Sequence, residues 1–117
     1  MNIYSIVDHT NIDKIVTLFT SVYINACEKK EDLKFFLITD KIEKENINIP
    51  ECLIGKIRIK CLIFNDRWKK LLEDFNKYFY RGSTWCKNDM NFGRFLFFQV
   101  FPEVDRVVYL DWDMIVY

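Results

Sequence analysis

The stretch "LKFFLITD", Leu33–Asp40, decides the fold of this 117-residue chain. It is an apolar run too short for a helix, and it ends on an acidic residue, so it reads as a strand that opens into a loop. Upstream, "IYSIV" (Ile3–Val7) is a β-branched and aromatic run that ends in the polar turn "DHTN" (Asp8–Asn11), which marks a first strand. Between the two, Ile12, Ile15, Val16, Phe19, Val22, Tyr23 and Ala26 recur at helical spacing, and Thr10 with Asp13 resembles a capping box. The three together form a β-α-β unit.

Downstream, "KIEKENINIPECLIG" (41–55) is polar and broken by Pro50, which predicts a short helix plus loop. In "KIRIKCLIF" (56–64), Lys56, Arg58 and Lys60 alternate with Ile57, Ile59 and Cys61, which predicts a third, half-exposed strand. Trp68, Leu71, Leu72, Phe75 and Phe79 trace an amphipathic helix that the turn "YRGST" stops at Gly82. Asn88 or Asp89 is placed to cap a further helix through "FGRFLFFQVF" (92–101), ended by Pro102, before a strand "RVVYL" (106–110). Strands alternating with helices predict an α/β fold, a Rossmann-like, mostly parallel sheet with flanking helices, which binds ligands beyond the carboxyl ends of its strands. Asp8, Asp40 and Asp111 each follow a strand there.

The length fits one domain over residues 1–117, and a chain that is 50% hydrophobic and 17% aromatic, with three Gly and two Pro, has the composition of a packed core. Disorder is excluded on that basis. Lys plus Arg and Asp plus Glu both number 17, so no net positive field draws the chain to nucleic acid or anionic lipid, and phosphate recognition must be local. Cys27, Cys52, Cys61 and Cys86 form no C-x-x-C pair and His9 is the only histidine, which argues against structural zinc. With no leader-like start and no apolar run of roughly 18 residues, the expectation is a soluble, cytoplasmic protein whose thiols are mostly small core residues.

The remaining signal is "VVYLDWDMIVY" (107–117), where Asp111 and Asp113 interrupt an apolar run. Buried carboxylates are normally paired, hydrogen-bonded or metal-bound. In an extended segment residues two apart point to one side, so Asp111 and Asp113 would aim at one cation while Trp112 faces away. Hard oxygen ligands suit Mg²⁺ or Mn²⁺, whose remaining ligands are substrate phosphates and water. A metal held there neutralises charge growing on a diphosphate leaving group.

The segment "NFGRFLFFQVFPEVDRVVYLDWDMIV" (91–116) resembles the core motif of glycosyltransferase family eight. Phe92-Gly93-Arg94, Asp105-Arg106 and Val108-Tyr109-Leu110-Asp111-Trp112-Asp113 match it in order. "MNIYSIVDHTN" and a helix ending near "SVYINA" match the family's first strand, nucleotide loop and first helix. The resemblance spans the chain but only the first half of a family domain. It implies the nucleotide-binding half of a GT-A type fold and a retaining hexosyl transfer from a UDP-sugar to an unidentified carbohydrate or protein acceptor.

By that resemblance, Asp111 and Asp113 ligate Mn²⁺ (or Mg²⁺), Asp111 also lies near the ribose, Asp8 lies against the uracil, and Arg94 reaches the diphosphate or donor sugar. The family's aromatic residue that stacks on the base shortly after the first aspartate has no counterpart in Thr10-Asn11-Ile12. Family members carry a third metal ligand and a diphosphate-binding Lys beyond the Asp-x-Asp strand, so the chain reads as truncated.

Each site residue also has a plainer reading. Arg94 suits phosphate chemistry through its fixed bidentate donors, yet it also fits an ion-paired helix arginine, with Asp89 as partner. His9 is placed to touch the nucleotide, or is simply solvated in a polar turn. Phe95, Leu96, Phe98 and Phe101 read as core. Lys56, Arg58 and Lys60 read as the solvated face of an edge strand. Trp112 either packs under the metal loop or faces an acceptor. Three functions therefore stand: the glycosyltransferase half, a non-catalytic remnant that binds nucleotide or a protein and self-associates through its last strand edge, and a phosphatase of the haloacid dehalogenase type, whose nucleophile motif belongs on a first strand instead.

Overall fold

Asn2–Ile6 (β1) occupies an inner position of a four-stranded parallel sheet in the computed structural model, which describes residues 1–27, 29–42, 47–61, 66–79 and 89–117. Lys34–Thr39 (β2) pairs with β1 on one side, and Ile57–Cys61 (β3) pairs with β2 beyond it. Val108–Tyr109 (β4) pairs with the other side of β1. The order β3-β2-β1-β4 reverses direction between β1 and β4. In open α/β sheets such a reversal leaves a crevice outside the carboxyl ends of the two strands.

Alternation along β1 and β2 sends side chains to two cores. On one face Tyr4, Ile6, Phe36 and Ile38 meet Leu72 of α2 (Asp66–Phe79), together with Phe92, Leu96, Phe97 and Phe101. On the other, Ile3, Val7, Phe35 and Leu37 meet Ile15, Leu18 and Phe19 of α1 (Ile12–Asn25). Each fully buried ring or branched chain contributes about 1.5–3 kcal/mol relative to exposure.

Several local expectations are corrected. Asn11 precedes α1 and makes no side-chain cap bond, so the Thr10–Asp13 capping box does not form; instead Asp8 caps a short 3₁₀ turn over His9–Asn11. The predicted helix over 92–101 is a 3₁₀ helix over Asp89–Leu96 followed by one α turn, Phe97–Val100 (α3). Within it Leu96 and Phe101 are buried, but Phe95 and Phe98 are more than half exposed, the former stacked on Phe75. In a run apolar at nearly every position, periodicity carries no face. Arg58 is more than a solvated edge residue: its guanidinium lies over the Phe36 and Phe101 rings and pairs with Glu103. Cys27 is exposed and Cys61 half-buried, so these two thiols lie outside the core, whereas half-buried Cys52 packs against the core on the α1 side. The turn at Gly82, the Asn88 cap and Cys86 lie outside the described residues.

Candidate nucleotide-diphosphate site

Val7 continues β1 by donating its N–H to Ile38 O at 3.1 Å, and the chain then turns at Asp8. The Asp8 carboxylate accepts from Thr10 N at 3.0 Å, from the Thr10 hydroxyl and from Asn11 Nδ2 at 3.1 Å. Burial raises its pKa, but these hydrogen bonds and the nearby His9 outweigh burial and hold it below the usual aspartate value. Asp8 is therefore an anion fixed at the mouth of β1.

On the far side of β1, Leu110 N donates to Tyr4 O at 2.9 Å and Ser5 Oγ donates to Leu110 O at 2.8 Å. These bonds fix the chain just ahead of Asp111. The Asp-x-Asp segment itself is not extended as expected: Met114 N donates to Asp111 O at 3.2 Å, closing a turn over 111–114. Asp111 Oδ1 accepts from Trp112 N at 3.0 Å and sits 3.4 Å from the Tyr109 hydroxyl. Burial pushes the Tyr109 hydroxyl up to about 12, with Arg94 opposing and Asp111 adding to the shift, so this group stays a proton donor.

Arg94 enters from the 3₁₀ helix. Its Nε donates to Asn91 O at 3.0 Å, its guanidinium stacks on Tyr109 at 4.9 Å, and Nη2 stands 3.9 Å from Asp111 Oδ2. Gly93 lets this helix lie directly on β1, because a Cβ there would overlap Cδ1 of Ile6.

Asp8, Arg94, Asp111 and Asp113 line one cavity of about 470 Å³ at the carboxyl ends of β1 and β4. His9 is placed differently: its N–H donates to Asp40 Oδ1 at 2.6 Å and its Nδ1 lies 3.1 Å from Asp40 Oδ2, and neither residue is among the described lining residues. Asn11, Asn91 and Trp112 also line the cavity. Nothing in the sequence distinguishes the two asparagines from ordinary turn residues, except that Asn11 stands three residues after Asp8, within reach of its carboxylate. The donor set suits a hard cation in part: Asp111 and Asp113 offer two carboxylates, while among the described residues no group of three or more His, Cys, Asp or Glu is arranged to hold a metal.

The sequence model of glycosyl transferase family 8 matches residues 2–117. The chain belongs to that family. The galactosyltransferase LgtC, solved in complex with donor and acceptor sugar analogues, superposes with a TM-score of 0.75 at 20% identity, over 100% of this chain and 39% of that one. An active-site variant of LgtC superposes with a TM-score of 0.71 at 19% identity, over 97% of this chain and 38% of that one. The chain thus spans about two-fifths of the length of these structures. At such identities the likeness is one of fold, and it agrees with the expected Rossmann-like, GT-A type half. No curated protein matches the chain significantly. Among the described residues no helix is long and apolar enough to cross a membrane.

Proposed function

We propose that this family 8 chain is the nucleotide-sugar-binding half of a hexosyltransferase that takes a UDP-sugar with Mn²⁺ or Mg²⁺ and transfers the sugar with retention. The observation that carries the reading is the convergence of Asp8, Arg94, Asp111 and Asp113, from three separate segments, on one cavity at the switch point of the sheet. In this reading Asp111 and Asp113 would hold the cation through the hard oxygen donors that such an ion prefers. Bound there, the ion supplies charge neutralisation for the departing diphosphate. Arg94 presents planar donors to phosphate or sugar oxygens from a position fixed by Asn91 and Tyr109. Asp8, already ionised and hydrogen-bonded, orients the base end. His9 acts at one remove, tying the Asp8 loop to the end of β2 through Asp40. An acceptor site and further ligands belong to the remainder of a family domain.

Calorimetric titration of the chain with UDP, with and without Mn²⁺, tests the reading. Saturable, Mn²⁺-dependent binding is expected, and it is expected to vanish in an Asp111→Ala/Asp113→Ala variant that retains its circular dichroism and melting transition. A folded wild-type chain that takes up no UDP would overturn the reading and leave a remnant that keeps only the fold.

A further inference from the structure

Trp112 does not face away from the candidate site: it lines the same cavity as the two carboxylates that flank it. It is the one aromatic residue among the described lining residues. The Lys14 ammonium, on the first turn of α1, stands over its ring 4.4 Å from the centroid. Lys14 follows Asn11 by three residues, and Asn11 lines the cavity and binds Asp8, so the indole meets the start of the helix that follows the Asp8 loop. The residue is still 37% exposed with the lysine in place. A cation on one face fixes the indole and leaves its π-surface available to a flat partner.

Resting on the nucleotide reading of this site, we infer that Trp112 is the stacking platform for the nucleobase: the base lies against the indole face turned from Lys14, while its diphosphate runs toward Arg94, Asp111 and Asp113. Base–aromatic stacking accepts any base, because every base has a π-face. Discrimination among bases then falls to the polar groups at the same end, Asp8 and Asn11. The backbone N–H of Trp112 is already bonded to Asp111, so one short turn sets both the aromatic platform and the first carboxylate. A ring held before the ligand arrives also loses less freedom on binding.

The test compares UDP with inorganic pyrophosphate, each titrated with Mn²⁺ into wild type, Trp112→Ala, Trp112→Leu and Trp112→Phe, with melting curves for each. Loss of the stack is expected to weaken UDP binding by about tenfold or more in the Ala and Leu variants, while Trp112→Phe stays within about threefold and pyrophosphate binding does not change. Equal UDP affinity in Trp112→Ala and wild type overturns the inference alone. A parallel fall for pyrophosphate also overturns it, since Trp112 would then be acting by holding the carboxylate turn. A folded wild type that binds neither probe overturns this inference together with the nucleotide reading.

Discussion

The Tyr4 hydroxyl donates a 3.1 Å hydrogen bond to the carbonyl oxygen of Gly93, joining the centre of the sheet to the residue that precedes Arg94. Tyr4 is buried, its ring packs on Phe97 and Tyr109, and burial drives its ionisation far above the usual tyrosine range. The phenol is therefore a permanent donor, and it fixes the height at which the 3₁₀ helix crosses β1. Tyr4→Phe is expected to lower stability by about 1 kcal/mol, because it removes one buried hydrogen bond and leaves the Gly93 carbonyl without that donor. Urea unfolding of the two proteins measures the difference; an unchanged midpoint would show that the bond adds nothing to stability.

Gly93 is expected to resist even alanine. Its added methyl meets the end of the buried Ile6 side chain, and overpacking of this kind costs about 1–3 kcal/mol. Ile6→Val removes the Cδ1 atom in question, so the double variant Gly93→Ala/Ile6→Val should be more stable than the sum of the two single losses. Strict additivity in thermal unfolding would contradict the close approach.

Arg94→Lys keeps the charge but loses the planar fork, and it is expected to weaken Mn²⁺-dependent UDP binding about tenfold. Stability should move by less than about 1 kcal/mol, because the Arg94–Asp111 pair is partly exposed and 3.9 Å long. Titration beside a melting curve separates the two effects. A large stability loss with unchanged binding would make Arg94 a structural ion pair.

Asp8 couples the site to pH. Its pKa in the folded chain lies below the usual aspartate value of about 3.8, so its contribution to stability is complete above that value and is lost as pH falls through the lowered folded-state value. Acid unfolding of wild type is therefore expected to include a component that Asp8→Asn lacks. Melting temperatures between about pH 5 and pH 2.5 check this; parallel curves for the two proteins would refute it.

The strands were legible because strand chemistry is local. Apolar runs of strand length ending at Asp8 and Asp40, and the Lys–Ile alternation of 56–60, require only period and length. The helix over Ile12–Asn25 was legible for the same reason. What failed depended on partners far along the chain. The 3₁₀ form of Asp89–Leu96 accompanies its close contact with β1 at Gly93, and the exposure of Phe95 and Phe98 reflects which side of it meets the sheet. Arg58 looks solvated from its own segment because its partners Phe101 and Glu103 come more than 40 positions later. At the site, the carboxylates were legible as chemistry. The turn that bends them, in a segment where Trp112 also lines the cavity, is closed by the Met114–Asp111 bond and is not written in the extended run of the sequence.

The bond from Ser5 to Leu110 joins residues 105 positions apart, and Asn25 reaches Val116 across 91. β1 and α1 leave the ribosome early, yet one wall of the cavity is made of residues 111–113. Closing so long a loop is entropically slow, and contacts of this separation mark the late steps of folding. A nascent chain can therefore complete β1, β2 and β3 while the cavity still lacks that wall. Whatever this cavity binds must therefore wait until the segment after β4 has been made and has come back to β1.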